Sequence, residues 1–325
     1  MSISLTLHRL KRCHKLFNSK DCLMYGAFLR SILSRTATTA KNAISNTKTL
    51  VLDCDGVLWH GSSPIAGSFE ALSYLKEYHS DLNIVFITNN SSKTRREYAY
   101  KLQSFGYPAN VHNIITAGSL AAHATKQMGL CHVLMIGNDA LKEELESQNI
   151  TVVEVPGSPD FSFSESDFDS FYVDPLIEGV VLGWDKSFTY KKLCIASLYL
   201  QNGRRPFIVT NRDCADKTPN GRLLPVTGSL AASIEMASGV KSVLCGKPSK
   251  IAVSYILEQF SCEKSETLMV GDRLDTDIEF ANIAGFKSCC VLTGCTNRVE
   301  AEQAQSFRKP TLIMHSFEDL VNTLR

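Results

Sequence analysis

The sequence lacks the features that mark membrane proteins and nucleic-acid-binding proteins. Its apolar runs are short, and a run such as Ile84–Ile87 is far from the length that crosses a bilayer. A formal net charge of +1 produces no overall field that would attract nucleic acid or an anionic membrane. We therefore expect neither a membrane nor a nucleic acid as a partner. Hydrophobic residues at 44% and charged residues at 21% are typical of a globular protein instead.

The sequence also lacks a recognisable zinc site or disulfide framework. Its eleven cysteines form no C-x-x-C pair, and no Cys and His residues cluster at the short spacing that zinc requires. Several cysteines, among them Cys194, Cys245 and Cys289, fall inside predicted strands or helices. This pattern predicts mostly buried thiols in a reducing compartment.

The first 46 residues differ in composition from the rest of the chain. They contain a single acid, Asp21, and frequent Ser and Thr. Their basic residues are Arg9, Lys11, Arg12, Lys15, Lys20, Arg30, Arg35 and Lys41. This composition is typical of an organelle transit peptide, for a chloroplast or a mitochondrion. A disordered basic tail on a cytoplasmic protein is the alternative.

Beyond residue 46, short apolar runs alternate with helical patterns, which predicts a parallel α/β sheet. The predicted strands are Thr49–Asp53, Asn83–Thr88, Val133–Gly137, Thr151–Val155, Gly179–Gly183, Pro206–Thr210, Ser242–Cys245, Thr267–Gly271, Lys287–Leu292 and Thr311–Ile313. Residues 156–174 and 213–226 show no clear period and are predicted to be loops. We interpret this order as a core of residues 47–110 and 241–325, interrupted by a second α/β domain of residues 111–240.

The strongest chemical signal is the run Asp53-Cys54-Asp55-Gly56 at the end of a predicted strand. Open α/β sheets bind ligands at the carboxyl ends of their strands, so both acids are well placed for chemistry. Two carboxylates this close repel each other, so one stays protonated or a cation intervenes. One ionised carboxylate can then attack phosphorus, while its neighbour donates a proton to the leaving oxygen and later activates water. An ordinary turn after a strand is the alternative.

Three further stretches at predicted strand ends carry complementary chemistry. Residues 88–91, Thr-Asn-Asn-Ser, offer a hydroxyl and backbone N–H groups to an anion, although helix capping alone also explains them. Lys247, between a glycine and a proline, can neutralise a phosphate or paired aspartates. The loop Gly271–Asp277 suits Mg²⁺, with Asp272 as a ligand and Asp277 as a supporting acid. Together with the first run, these stretches supply what phosphoryl transfer requires.

These stretches resemble motifs I to IV of the haloacid dehalogenase superfamily. The matching residues are Asp53–Leu58, Thr88–Asn90, Lys247 and Gly271–Asp277. Within that superfamily, the residues of these motifs resemble those of the branch that contains phosphoglycolate phosphatase, pyridoxal phosphatase and 4-nitrophenylphosphatase-like proteins. The resemblance covers roughly residues 48–325. It implies an α/β fold, with a Rossmann-like parallel-sheet core and a large inserted α/β cap of the C2 type, and it implies a phosphatase that hydrolyses a small phosphate ester.

The resemblance also assigns roles to individual residues. It makes Asp53 the nucleophile and Asp55 the acid/base. It implies one Mg²⁺ per subunit, on the Asp53 side chain, the Asp55 backbone carbonyl and Asp272, with Asp277 behind them. The residues that it implies for phosphate binding are Thr88, Asn89, Asn90 and Lys247.

Substrate choice is expected to lie in the cap. Arg212 and Asp213 are candidates for a substrate contact, with a local ion pair as the alternative.

The identity of the substrate is a separate question, and an organelle location favours 2-phosphoglycolate. The loop 214–222 lacks the histidine expected of a pyridoxal phosphatase, which weakens pyridoxal 5′-phosphate, and a broad 4-nitrophenylphosphatase-like activity is a further alternative. The resemblance also favours a homodimer through the cap.

Three other interpretations stay open. A phosphotransferase or mutase would pass the phosphoryl group to a sugar hydroxyl instead of water. A regulatory protein would keep the fold without the chemistry. Oxidation of Cys54, between the two aspartates, would disturb the metal site if its thiol were exposed and ionised.

Overall fold

The computed structural model describes Thr38 and residues 41–155, 163–201, 203–218 and 220–325. The predicted transit segment lies outside the described residues, apart from Thr38 and residues 41–46. None of the helices in the described part of the chain combines the length and apolar character that a bilayer crossing demands.

The strands and helices alternate along the chain, as the sequence predicts. The strands of the described residues are β1 (Thr49–Leu52), β2 (Trp59–His60), β3 (Ser63–Pro64), β4 (Asn83–Thr88), β5 (Ile114–Thr116), β6 (His132–Ile136), β7 (Thr151–Glu154), β8 (Gly179–Leu182), β9 (Phe207–Val209), β10 (Ala215–Lys217), β11 (Leu223–Pro225), β12 (Val243–Leu244), β13 (Thr267–Gly271), β14 (Lys287–Val291) and β15 (Leu312–Met314). The described α-helices beyond residue 46 are α1 (Ser68–Tyr78), α2 (Arg95–Ser104), α3 (Ala117–Gln127), α4 (Asp139–Glu146), α5 (Glu165–Ser170), α6 (Tyr190–Leu200), α7 (Thr227–Ser238), α8 (Lys250–Gln259), α9 (Glu279–Ala284), α10 (Arg298–Gln303) and α11 (Phe317–Asn322).

Six parallel strands form the core sheet, in the order β15-β14-β13-β1-β4-β5. The central strand β1 is buried along its whole length, as expected for a parallel strand covered on both faces. Its last residue, Leu52, pairs with Val270 of β13 on one side and with Phe86 of β4 on the other. The loops that follow these three strands therefore leave the same edge of the sheet side by side, which brings three of the motifs together.

Five parallel strands, in the order β12-β9-β8-β6-β7, form the sheet of the inserted domain, which we call the cap. The sheets divide the chain slightly differently from the prediction. β5 lies after residue 110 but pairs with β4 in the core sheet, and β12 lies after residue 240 but pairs with β9 in the cap sheet. The predicted boundaries at 111 and 240 are thus off by one short strand each, because strands of two or three residues carry too little periodicity to reveal their partner.

Both predicted loops contain regular structure, which corrects the sequence interpretation. Segment 213–226 forms an antiparallel hairpin in which Asp216 of β10 pairs with Leu224 of β11. Segment 156–174 contains α5, which begins with a capping box between Ser164 and Asp167, while residues 156–162 lie outside the described residues. β11 is exposed along its length, so it lacks the alternation by which a half-buried strand is recognised.

The cap packs on the core through a shared apolar layer. One cluster of buried side chains includes Val51 and Ile87 of the core sheet, Leu120 of α3, and Met135 and Val181 of the cap sheet. Burial of apolar area is the main favourable term in such packing. Helix α3 therefore lies in a hydrophobic layer that is common to both sheets.

A buried ion pair also joins α2 of the core to α4 of the cap. Arg95 donates from Nε to the two carboxylate oxygens of Glu144 at 3.2 and 3.0 Å, and its Nη2 lies 2.9 Å from Oε2. The backbone N–H of Arg95 donates to the same carboxylate at 2.9 Å. Because the Glu144 side chain is only 5% exposed, this contact is poorly replaced by water.

Replacing Glu144 by alanine is expected to lower the free energy of unfolding by roughly 2–4 kcal/mol, because Arg95 loses its buried partner. Glu143→Ala is the matched control. Glu143 pairs with Arg96 at 3.7 Å, and the Arg96 and Glu143 side chains are 83% and 55% exposed, so a loss of roughly 0–1 kcal/mol is expected there. Urea denaturation measures both variants, and equal losses would contradict a special role for the buried pair.

Candidate active site

Three buried aspartates meet where the loops after β1 and β13 lie side by side. One carboxylate oxygen each from Asp53, Asp272 and Asp277 lies within 4.8 Å of the others, and all three side chains are buried. Asp53 is held at the strand end, since its N–H donates to the Val270 carbonyl at 2.9 Å. Three acids this close need cations nearby.

Lys247 supplies one of those positive charges. Its Nζ lies 2.5 Å from Asp53 Oδ1 and 2.6 Å from Asp277 Oδ1, and it donates to the Ile87 carbonyl at 3.2 Å. Burial alone would lower the pKa of this lysine, but the charges of Asp277 and Asp53 and their hydrogen bonds raise it instead. The group is therefore an ammonium at physiological pH.

Burial and neighbouring charge act on the acids in the opposite sense. Burial raises the pKa of Asp53 well above its usual value, Asp277 and Asp272 raise it further, and Lys247 opposes them. Burial and the charge of Asp277 raise the pKa of Asp272 to about 6. A bound cation would favour the ionised form of both, so the donor set fits a hard divalent ion with oxygen ligands.

Asp277 orients the loop that carries Asp272. Its Oδ2 accepts hydrogen bonds from the backbone N–H groups of Asp272 at 3.1 Å and Arg273 at 3.0 Å, while its Oδ1 contacts Lys247. Both oxygens are therefore engaged by the protein. This geometry fits the predicted supporting role of Asp277 and leaves Asp53 and Asp272 as the side chains suited to hold a cation.

Two glycines make room for the Asp272 carboxyl. A Cβ at Gly56 would lie 2.5 Å from Asp272 Oδ2, and a Cβ at Gly294 would overlap the same carboxyl group. The adjacent Cys295 N–H donates to Asp272 Oδ2 at 2.6 Å. The segment around Gly294 was missed by sequence reasoning, because it contains no acid or strand-end motif.

We expect Gly294→Ala to weaken binding of a divalent cation by about 10- to 100-fold, because the new methyl group displaces Asp272. Gly118→Ala is the control: a Cβ there meets nothing closer than 3.6 Å, which is ordinary van der Waals contact. Calorimetric titration of each purified variant with Mg²⁺ measures the affinity. A Gly294→Ala protein with wild-type affinity would contradict this close approach.

Asp55 stands at the mouth of the site, beside the buried aspartates. Its Oδ1 accepts a hydrogen bond from Trp59 Nε1 at 3.0 Å. The residue borders solvent, yet desolvation by the surrounding protein raises the pKa of its carboxyl more than Lys101 and Trp59 lower it. A carboxyl with a raised pKa is suited to donate a proton. Trp59 and Lys101 are two contributors that the sequence motifs alone did not reveal.

The loop after β4 carries three of the residues predicted to bind phosphate, and its side chains are engaged in hydrogen bonds with the protein. Thr88 is buried and its Oγ1 accepts the Asn90 N–H at 3.1 Å. The Asn89 side chain binds the backbone of Lys247: Oδ1 accepts the Lys247 N–H at 2.8 Å and Nδ2 donates to the Lys247 carbonyl at 3.1 Å. The Asn90 carboxamide oxygen accepts from Ser92 N–H at 2.8 Å. The side chain of Asn89 therefore positions Lys247, and its phosphate contact stays a prediction.

The two candidate substrate contacts of the cap, Arg212 and Asp213, have different surroundings. Arg212 pairs with Glu235 and donates to Ser242 Oγ at 2.7 Å, so it belongs to an ion-pair network within the cap, as the alternative interpretation expected, and its substrate contact stays a prediction. Asp213 faces the core instead, 4.0 Å from Arg273 Nη2. Burial raises the pKa of Asp213, and the charge of Arg273 opposes that rise.

Cys54 does not have the environment of a reactive thiol. Its side chain is buried, with 1% of the residue exposed. Burial raises the pKa of the thiol well above its usual value, and the flanking Asp53 and Asp55 raise it further. Because the thiolate is the reactive form, the structure argues against the oxidation hypothesis.

Two family models match the chain at the segments that carry these motifs. A model described as haloacid dehalogenase-like hydrolase matches residues 50–151. A model described as HAD-hydrolase-like matches residues 244–320. The two segments contain β1, β4 and β13, the strands from which the aspartates and Thr88 extend.

Curated relatives cover most of the chain. Glycerol-3-phosphate phosphatase of Gallus gallus is 34% identical, over 82% of this chain and 86% of that protein. Phosphoglycolate phosphatase 2 of Arabidopsis thaliana is 31% identical, over 87% of this chain and 95% of that protein. Phosphoglycolate phosphatase 1A, chloroplastic, of the same plant is 28% identical, over 95% of this chain and 87% of that protein.

Solved structures share the fold. A 4-nitrophenylphosphatase from Thermotoga maritima aligns with a TM-score of 0.73 at 31% identity, over 87% of this chain and 99% of that chain. A glycerol phosphate phosphatase from Mycobacterium tuberculosis, in complex with magnesium, aligns with a TM-score of 0.72 at 29% identity, over 87% of this chain and 77% of that chain. The chain therefore belongs to the haloacid dehalogenase-like hydrolases, and within that family it is a phosphatase. The family resemblance and the predicted core-and-cap α/β fold are confirmed.

Proposed function

We propose that the protein is a Mg²⁺-dependent phosphomonoesterase that acts on a small phosphorylated metabolite through an aspartyl-phosphate on Asp53. The observation that carries this proposal is the contact of one lysine with two of three converging aspartates. Lys247 lies 2.5 Å from Asp53 and 2.6 Å from Asp277, and Asp272 completes the cluster. A carboxylate and an anionic phosphoryl group repel each other, so their approach requires positioning and charge neutralisation. The lysine and a bound cation would supply that neutralisation here.

The chemistry divides between two aspartates. The Asp53 carboxylate forms a bond to phosphorus as the bond from phosphorus to the ester oxygen breaks, and Asp55 gives its proton to that oxygen. Water then attacks the phosphorus of the aspartyl-phosphate. Asp55 takes a proton from this water, the bond to Asp53 breaks, and inorganic phosphate leaves.

A divalent cation would be held by the side chains of Asp53 and Asp272, with the Asp55 backbone carbonyl as a further ligand suggested by the family resemblance. When bound, it supplies charge neutralisation for the phosphoryl oxygens and for the nucleophile. Mg²⁺ is favoured because these donors are all hard oxygens. The complexes of the related glycerol phosphate phosphatase with magnesium and with calcium support a divalent ion at this site.

For the substrate, we favour 2-phosphoglycolate, with glycerol 3-phosphate as the second candidate because the relative with 34% identity bears that name. A chloroplast or mitochondrial location belongs to the same proposal. It is supported by the basic N-terminal composition and by the chloroplastic relative.

Asp53→Asn is expected to reduce Mg²⁺-dependent phosphate release by at least about 10³-fold, because the amide cannot replace the nucleophile. Wild type and variant, both starting near Ser45, would be assayed against 2-phosphoglycolate, glycerol 3-phosphate, pyridoxal 5′-phosphate and 4-nitrophenyl phosphate. Mass spectrometry of acid-quenched wild-type enzyme is expected to find phosphate on Asp53.

Two outcomes would contradict this function. Full activity of Asp53→Asn would exclude Asp53 as the nucleophile. Absence of phosphate release from the whole panel would favour a regulatory protein. Mass balance between free phosphate and phosphorylated product distinguishes hydrolysis from transfer to a sugar hydroxyl.

A further inference from the structure

A surface cleft of about 470 Å³ opens beside the proton donor. Its lining includes Asp55, Ser62, Asn90, Lys93 and Lys101. In the proposed reaction the leaving group takes its proton from Asp55, so the rest of that group must occupy space that borders this carboxyl. The cleft is such a space, and in the proposed phosphatase reaction the leaving group of the substrate would occupy it.

One cation of the cleft is fixed relative to Asp55. Lys101 Nζ donates to the Gly61 carbonyl at 2.7 Å and lies 3.8 Å from the centre of the Trp59 ring. Trp59 in turn donates to Asp55 at 3.0 Å. The ammonium group, the indole and the acid therefore form a connected unit, so that a ligand bound by Lys101 is held in a defined position relative to the proton donor.

The second cation, Lys93, is exposed at the rim of the same cleft. Among the described residues, no carboxylate lies within ion-pair distance of either lysine. Burial lowers the pKa of Lys101, Asp55 opposes this, and the charge of Lys93 lowers it further, so the two ammonium groups repel. An anion between them would relieve that repulsion.

We propose that this cleft is a subsite for an anionic leaving group, in which Lys93 and Lys101 bind a carboxylate or a second phosphate. The inference rests on the proposed function and deepens it. It assigns the substrate class as phosphomonoesters whose leaving group is itself negatively charged, in preference to neutral polyol or aryl esters. Apart from Asp55, the described lining residues of the cleft carry no acid that would repel such a group.

The test compares two esters of matched length, 2-phosphoglycolate and the uncharged 2-hydroxyethyl phosphate. The wild-type ratio of kcat/KM is expected to favour the carboxylate by about tenfold or more, which is the value of one charge-assisted hydrogen bond. Lys93→Gln is expected to reduce this ratio by about tenfold, mainly through KM for the anionic ester. Lys93→Arg is expected to retain it.

Lys126→Gln is the matched control, since it removes the same charge at an exposed position of α3. Lys126 lines neither this cleft nor the adjoining pocket that Lys93, Arg96 and Lys101 share. An unchanged ratio in Lys93→Gln, or a wild-type preference for the neutral ester, would overturn the subsite while phosphatase activity persists. In the second case the leaving group would face the acids of the cap, such as Asp213. If no ester releases phosphate in an Asp53-dependent manner, the proposed function and the subsite both fail.

Discussion

The site depends on one ammonium group that is buried among carboxylates. Lys247 Nζ contacts Asp53 and Asp277 at 2.5 and 2.6 Å, and the lysine is only 2% exposed. Without that charge, three desolvated acids would share a small buried volume, which is strongly unfavourable. The lysine favours the ionised form of Asp53. It also holds Asp277, which fixes the backbone of the loop that presents Asp272. Two acidic loops from separate strands are thus joined through one cation.

The cap takes part in placing this lysine. Asn89 binds both backbone groups of Lys247, and Asn211 of the cap donates from Nδ2 to the Asn89 carbonyl at 2.8 Å. A continuous series of contacts therefore runs from the strand end of β9, through the loop after β4, to Lys247. The Arg95–Glu144 pair and the shared apolar layer hold the same two domains together. Cap position and lysine position are physically linked by these contacts.

The sequence identified the proposed reacting groups better than the groups that support them. Asp53 and Asp272 could be predicted because each follows a strand of the core sheet, and strand ends of a parallel sheet converge. Lys247 follows β12 of the cap sheet, so only the motif and its family resemblance pointed to it. Trp59, Lys101 and Gly294 escaped prediction because their roles depend on contacts in space, and no spacing in the chain records those contacts. The contact of Asn89 with Lys247 was not predicted either, because the two residues lie 158 positions apart in the chain.

The same distinction explains what the sequence left open in the cap. Arg212 has its ion-pair partner, Glu235, on α7, and only the folded chain brings the two together. The strands β5 and β12 were assigned to the wrong side of a boundary because pairing, rather than composition, decides sheet membership. Local pattern located β12 but not β5, and long-range pairing decided the sheet to which each strand belongs.

The central claim is that Lys247 and the aspartates stabilise one another, and a double-mutant cycle measures this most directly. Urea unfolding without divalent cations would be compared for wild type, Lys247→Met, Asp277→Asn and the double variant. We predict a coupling free energy of at least about 2 kcal/mol, with the double variant losing less stability than the sum of the single losses. Additive losses would contradict the account.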